Sequence, residues 1–160
     1  MSRRAEDLAQ RIELGAQTLA TFAEQLSDQE WRTMVPQDGR PVGVVVHHVA
    51  NMYDIEIDLA MKIAAGEGVR GVTWGAVSEL NAKHHGDNVA VSKQEALALL
   101  KQKSKSAADA VRKLTDQDLD RAAPVSLNAD APLTTQFFIE DHALRHSFHH
   151  LAKIKAALGK

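Results

Sequence analysis

The chain has 160 residues, of which 44% are hydrophobic, 25% charged and only 4% aromatic, a composition that predicts one domain over residues 1–160 with an aliphatic core. The net charge of −2 excludes the basic surface of a nucleic-acid or membrane-surface binder, and the lack of cysteine excludes disulfides and thiolate metal ligands. No apolar run approaches the roughly 18 residues of a membrane helix, so we expect a cytoplasmic protein.

Helical periodicity predicts two long helices in the first half of the chain. The first covers residues 4–26, with apolar side chains at helical spacing. Ser27 and Glu30 then have the spacing of a capping box, which predicts a further short helical turn. The second long helix follows the segment PQDGRP, in which Pro41 suits the first helical position, and ends near Ala65.

The second half of the chain predicts one short helix and two long ones. After the glycine-rich segment GEGVRG, residues 73–85 show a shorter helical pattern. Ser92 and Glu95 form a second capping-box pattern, which opens a helix that reaches residue 114. The last helix covers residues 132–158. No segment alternates with period two, so we expect no β-sheet.

A short repeat relates the two halves. LSDQEWRTMVP at residues 26–36 matches LTDQDLDRAAP at residues 114–124 in its cap, its acidic turn, its large apolar anchor and its proline. The chain therefore resembles two successive helix pairs. We predict an all-α fold, a four-helix bundle with an additional short helix in the long connection between the second and third main helices.

Four of the eight histidines lie in one stretch of the last helix, DHALRHSFHHLAKIKAAL at residues 141–158. A helical wheel at about 100° per residue places His146 and His150 together on the inward, apolar stripe. His149 falls on the polar side, and His142 lies between the two stripes. Because His146 and His150 are four residues apart, both imidazoles are within reach of one ion.

The second helix contributes one inward histidine. His48 falls in an apolar arc of the wheel, whereas the neighbouring His47 falls on a solvated face. A single inward histidine is more often a hydrogen-bonded core residue than a metal ligand. Two imidazoles in an apolar stripe need donors, acceptors or a cation, so spacing alone leaves both a metal site and a polar network open for His146 and His150.

The chain resembles the DinB-like (YfiT-type) family of metal-dependent four-helix-bundle proteins along nearly its whole length. The resemblance rests on DGRPVGVVVHHVANMYDIE at the second helix and, most specifically, on RHSFHHLAKI in the last helix. It implies that His48, His146 and His150 hold a divalent ion, nickel or zinc. The family's frequent HRGQ continuation is HLAK here, at residues 150–153. Related mycothiol-dependent maleylpyruvate isomerases carry a glutamate where this chain has His146.

Three imidazole ligands leave positions on an ion open for water or substrate, which is typical of a catalytic site. We therefore expect a metal-dependent enzyme that acts on a small molecule, either as a hydrolase or as a transferase of a low-molecular-weight thiol. The alternative is a non-catalytic bundle whose metal site is structural and which binds a small ligand or dimerises. Family members are often dimers, so the resemblance also allows a homodimer.

Two further residues are candidates for catalytic roles. His142 lies one turn before His146, and Glu56 falls on the apolar side of the second helix, where a carboxylate can orient an imidazole or move a proton. For Glu56 a partly exposed side chain is the commoner outcome. The spacing assigns no role to three polar residues of the middle connection, His84, His85 and Asn81. Both tryptophans, Trp31 and Trp74, are expected to be packing anchors.

Overall fold

The computed structural model describes all 160 residues. The helices are α1 (Arg3–Glu24), α2 (Asp28–Trp31), α3 (Val42–Ala64), α4 (Trp74–Asn88), α5 (Lys93–Val111), α6 (Asp116–Asp120), α7 (Thr135–Ile139) and α8 (Arg145–Leu158). A π-helical turn (Glu140–Leu144) joins α7 to α8 in one continuous helical segment, and a 3-10 turn covers Ser126–Asn128. The strands are β1 (Met34–Val35), β2 (Arg40–Pro41), β3 (Ala122–Val125) and β4 (Ala131–Thr134).

Four long helical segments form a bundle, which confirms the predicted fold class. Both α1 and α3 pack against α5, and both also pack against the continuous segment that ends in α8. The successive helices α1 and α3 therefore lie on a diagonal of the bundle, unlike neighbouring helices of an up-and-down bundle. Aliphatic side chains fill the core, with Tyr53 and Phe138 as its largest fully buried residues. None of the helices has the combination of length and apolar character that crossing a membrane requires.

The sequence repeat folds into the same local structure twice. In each copy, a serine or threonine and an acidic residue three positions later form a capping box that opens α2 or α6. The apolar anchor that follows is buried, Trp31 in the first copy and Leu119 in the second. The chain then forms a two-stranded hairpin and enters a helical segment that carries histidines.

The expectation of no β-sheet is wrong, because both hairpins pair their strands antiparallel. Met34 lies opposite Pro41 in the first hairpin, and Ala122 lies opposite Thr134 in the second. Strands of two and four residues are too short to show a clear period-two alternation in the sequence. The four main helices supply the periodic signal, and the hairpins connect them.

The glycine-rich connection after α3 lies alongside the second hairpin. Val69 forms a parallel bridge with Val125 of β3, and its N–H donates to the carbonyl oxygen of Pro124 at 2.9 Å. Gly68 has a φ of +74°, and a Cβ there would lie 2.7 Å from the same carbonyl oxygen. Only glycine tolerates both conditions, so Gly68 allows the connection to approach β3 closely.

The short helix α4 lies over α3, in the connection where the sequence predicted it. Its one buried residue is His84, whose Nε2 lies 2.8 Å from Nδ1 of His47. His47, expected on a solvated face, is half-buried beneath this contact. Trp74 is 61% exposed and donates from Nε1 to the carbonyl oxygen of Leu127, so the prediction that it is a packing anchor is wrong. Trp31 is buried, as predicted.

Candidate metal centre

The three histidines of the predicted inward set come together between α3 and α8. His48 lies near the start of α3, and His146 and His150 lie on consecutive turns of α8. One ring nitrogen of each histidine lies within 4.8 Å of the other two. The ring centroids are 4.7 Å apart for the α8 pair and 5.0 and 5.3 Å from His48. The two helices thus present three imidazoles to one point.

Two buried carboxylates contact the outer nitrogens of the α8 histidines. Glu56 Oε1 lies 2.7 Å from His146 Nδ1, and Asp38 Oδ2 lies 3.2 Å from His150 Nδ1. Neither contact has the straight N–H···O geometry of a hydrogen bond, so both are electrostatic contacts that orient the rings. Because the carboxylates occupy the Nδ1 side, Nε2 of each ring is left for an ion.

Glu56 differs from its sequence-based expectation. Its side chain is buried rather than partly exposed, because α3 turns it toward α8, and only 5% of the residue is accessible. The oxygen that does not contact His146, Oε2, is buried without a hydrogen-bond partner. Leaving a carboxylate oxygen buried and unpaired is costly, so this position suits a neighbouring positive charge. A divalent cation among the histidines would supply that charge.

Burial lowers the pKa of two imidazoles of the site, those of His48 and His150. It lowers the pKa of His150 to about 4, although the contact with Asp38 opposes that shift. It lowers the pKa of His48 well below its ordinary value, and the neighbouring His146 adds to the effect. Since a metal binds the neutral form of imidazole, these rings need not lose a proton before they bind an ion.

The turn of the first hairpin supplies a residue that helical periodicity missed. Asp38 lies between β1 and β2, contacts His150 and forms an ion pair with Arg40. Burial raises the pKa of Asp38, but the contacts with His150 and Arg40 outweigh it and hold that pKa well below its ordinary value. The sequence offered one signal, a carboxylate in the turn PQDGRP shortly before a histidine-bearing helix.

The histidines lie on the wall of an open cavity of about 660 Å³ that is lined by α3, α4, α8 and both hairpin turns. Three apolar residues of α3 line it, Met52, Ile55 and Leu59. These three residues share the apolar arc of the helical wheel with His48, but they are half-buried and face the cavity. The side of α3 that is buried most deeply in the core carries Tyr53 and Ala60 and lies next to these three residues. His48 therefore belongs to a cavity wall rather than to the core.

The other histidines of the last helix occupy different surroundings. His142 lines the same cavity one turn before His146 and stacks on Phe138, with ring centroids 4.2 Å apart. Burial lowers the pKa of His142. His149 is exposed, as the helical wheel predicts. The wheel thus separates the exposed histidine from the less exposed ones, although His149 also lines the cavity and its ring centroid lies 5.2 Å from that of His150.

Residues of the middle connection that had no predicted role lie around the site. His84 lies beside His48, with ring centroids 5.7 Å apart, and burial followed by the neighbouring His47 lowers the pKa of His84 to about 4. Asn81 lines the main cavity, whereas His85 faces a smaller cavity next to it. α4 therefore covers the site with one histidine and one amide.

The π-helical turn directly before His146 changes the register of the last helix. Arg145 N–H donates to the carbonyl oxygen of Glu140, five residues back, which adds a residue to that turn. As a result Ser147, at 0% exposure, is the deepest residue on this part of α8, and His146 faces the cavity instead. A helical wheel drawn with uniform α-helical spacing cannot predict this shift, because it does not include the extra residue of the π-helical turn.

Comparisons with known proteins agree with this architecture. The sequence pattern of the DinB superfamily matches residues 11–154. No curated protein sequence gives a significant match. Among solved structures, the chain is similar to YfiT from Bacillus subtilis, described as a probable metal-dependent hydrolase with an unusual four-helix bundle topology. The TM-score is 0.75 at 24% identity, over 98% of this chain and 87% of that chain, which shows a shared fold. Because the superfamily pattern spans most of the sequence, this chain belongs to the DinB superfamily.

Proposed function

We propose that this chain binds a divalent metal ion through His48, His146 and His150 and uses it to hydrolyse a small molecule. The main support is the position of three imidazoles on the wall of a cavity of about 660 Å³, with no fourth ligand in the group. Structural zinc sites are usually closed by four protein ligands, whereas three ligands leave a position for water or substrate. An open cavity over three ligands therefore favours catalysis over a structural role.

The surrounding residues have roles that follow from their contacts. The ion, when bound, supplies Lewis-acid chemistry. Glu56 and Asp38 orient His146 and His150 and place negative charge behind the rings, which makes the imidazoles better ligands. His142 lines the cavity one turn from His146, and its lowered pKa keeps it neutral near pH 7, so it can accept a proton from a reacting group.

The imidazole ligands limit which metal is proposed, and the structural similarity to YfiT supports hydrolysis as the reaction. Imidazole suits zinc, nickel, copper and iron, and the family resemblance favours nickel or zinc. YfiT, which has the same fold, is described as a probable metal-dependent hydrolase. Transfer of a low-molecular-weight thiol stays a prediction from the resemblance, because no feature of the cavity favours it over hydrolysis.

Metal analysis of protein purified without nickel resin tests the ion site. We expect about one ion per chain in the wild type and loss of that ion in His48→Ala, His146→Ala and His150→Ala. His149→Ala is the matched control, because His149 is an exposed, cavity-lining histidine of the same helix that does not belong to the group of three. Stoichiometric metal that survives the loss of His48 or His150 would contradict the site.

An activity test separates catalysis from the structural alternative. A panel of chromogenic esters and amides is assayed before chelation, after chelation, and after zinc or nickel is restored. Turnover that disappears with the ion and returns with it supports the proposed function. Turnover that is indifferent to chelation contradicts it. A large fall in melting temperature on chelation, without turnover of any ester or amide, would favour a structural metal site.

A further inference from the structure

The cavity has two chemically different ends on either side of the histidines. The helices α3 and α8 run antiparallel at the site: Glu56, two turns after His48, contacts His146 rather than His150. His150 instead contacts Asp38 in the turn of the first hairpin. The cavity therefore has one end at this hairpin turn and another end at the later part of α3, with the histidines between them.

The hairpin end contains cationic groups with unused donors. The Arg40 side chain is 10% exposed and donates from Nε to Asp38, while its Nη1 is buried without a hydrogen-bond partner. Lys153 lines the cavity one turn after His150, is half-buried and has no carboxylate within ion-pair distance. Arg145, by contrast, lies 3.3 Å from Asp141. Asp38 compensates the charge of Arg40, so Lys153 is the cation without a paired carboxylate, and it lies at the hairpin end.

At the opposite end of the cavity, the wall formed by α3 and α4 is apolar, whereas the last helical segment contributes polar residues, Asp141, His142 and Arg145. α3 contributes Met52, Ile55 and Leu59, and α4 contributes Val77 from the facing side. From His48 to Leu59 the helix spans roughly 16 Å, at about 1.5 Å per residue. This wall is long enough for an extended alkyl or aromatic group, and its side chains carry no hydrogen-bonding groups that would favour a polar one.

We propose that the substrate is an elongated molecule with a carboxylate at the hairpin end and an apolar tail at the α3 and α4 end, so that its reacting carbonyl lies beside the histidines. Arg40 and Lys153 would hold the carboxylate, because a guanidinium group presents its donors in the geometry that a carboxylate accepts. The inference rests on the proposed function for the position of the reacting carbonyl, but the two ends of the cavity can be tested separately.

Binding of a keto acid that cannot be hydrolysed tests the inference. The probe is 4-oxodecanoate, which carries a carboxylate, a ketone carbonyl and a six-carbon tail. Two matched ligands each lack one feature: 4-decanone lacks the carboxylate, and 4-oxopentanoate lacks the tail. Calorimetry on the full, metal-loaded chain is expected to show the keto acid binding about tenfold or more tightly than either ligand.

Substitutions assign each preference to its end of the cavity. Lys153→Ala should weaken 4-oxodecanoate about tenfold and leave 4-decanone unchanged. Lys155→Ala, which removes the same charge from the same helix outside the cavity, should change neither. Val77→Asn should reduce the preference for 4-oxodecanoate over 4-oxopentanoate, whereas Val89→Asn, at an exposed position just after α4, should not.

The outcomes distinguish this inference from the proposed function. Equal affinity for 4-oxodecanoate and 4-decanone would overturn the inference, and so would equal weakening by Lys153→Ala and Lys155→Ala. The titrations are repeated on metal-free protein. A chain that binds no metal but keeps both preferences would contradict the proposed function and support the two-ended cavity. A chain that binds metal but shows neither preference would contradict the two-ended cavity and leave the proposed metal site supported.

Discussion

Tyr53 of α3 and Ser147 of α8 share a hydrogen bond, with 2.7 Å between their hydroxyl oxygens, in the core beside the histidines. Both residues are fully buried, at 1% and 0% exposure, and burial raises the pKa of Tyr53 so that it stays protonated. The bond joins the helix of His48 to the helix of His146 and therefore sets the separation of the two helices at the site.

Removing one of these hydroxyls leaves the other unpaired in the core. We expect Tyr53→Phe and Ser147→Ala each to lower the free energy of unfolding by about 1–3 kcal/mol. The double variant should lose less than the sum, because neither hydroxyl is then left alone. Chemical denaturation of the four proteins measures this cycle, and strictly additive losses would show that the bond does not couple the helices.

Glu56→Gln should weaken metal binding. The substitution keeps the shape of the side chain but removes the negative charge next to His146, and loss of such a partner typically costs about 10–100-fold in metal affinity. Asp58→Asn, on an exposed position of the same helix, is the matched control and should leave affinity unchanged. Competition titration with a chromogenic chelator gives the metal affinity of the wild type and of both variants; equal affinities for all three proteins would contradict the orienting role of Glu56.

Asp38→Asn should destabilise the fold. It leaves the buried Arg40 guanidinium without its carboxylate, which for a buried ion pair costs about 3–5 kcal/mol. Asp87→Asn breaks the exposed pair with Lys83 and should cost less than about 1 kcal/mol. Denaturant titration compares the two, and a loss at Asp38 no larger than that at Asp87 would show that the buried pair is not needed for folding.

Gly43→Ala should destabilise the start of α3. A Cβ there would lie 2.9 Å from Cζ2 of Trp31 and closer still to Cε2 and Nε1, so the buried indole would have to move, at a cost of about 1–3 kcal/mol. Gly86→Ala in α4 has open space around it and should be neutral or slightly stabilising, because alanine favours a helix. The difference in melting temperature between the variants checks the packing, and equal values would contradict it.

His84→Ala should loosen α4 without unfolding the bundle. It removes the one buried side chain of α4 and the hydrogen bond to His47, a loss of about 1 kcal/mol or roughly fivefold in local opening. His85→Ala, the neighbouring control, should leave α4 unchanged. Hydrogen exchange of the α4 amides reports the effect, and equal exchange in both variants would show that the contact does not hold this helix.

The sequence predicted the parts of the fold that local patterns encode. Apolar residues at helical spacing located the four main helices, and the serine and glutamate at Ser92 and Glu95 located the start of α5, because a capping box is formed within one turn. The hairpins were missed because strands of two to four residues carry too little pattern. Trp74 was misassigned because its exposure depends on how α4 lies over the bundle.

The sequence predicted the three histidines that the fold brings together and named Glu56 as a candidate to orient an imidazole, but it missed Asp38 and could not show which ring either carboxylate contacts. A helical wheel identifies which residues of one helix share a side, so it selected His48, His146 and His150. The contacts of Glu56 and Asp38 join different elements, and their distances depend on the tertiary arrangement. The identity of the metal, a thiol cofactor and a homodimer stay predictions, because each concerns a species outside the chain.

Because of the π-helical turn at Glu140–Leu144, the number of residues between Phe138 and His146 determines which way the histidines of α8 face. If one residue were deleted from this turn, regular helical geometry would rotate α8 by about 100° relative to α7. Phe138 could keep its place in the core only if His146 and His150 turned away from His48. A relative could thus retain every histidine in its sequence and still lack the site, because spacing along the helix is as necessary as the ligands themselves.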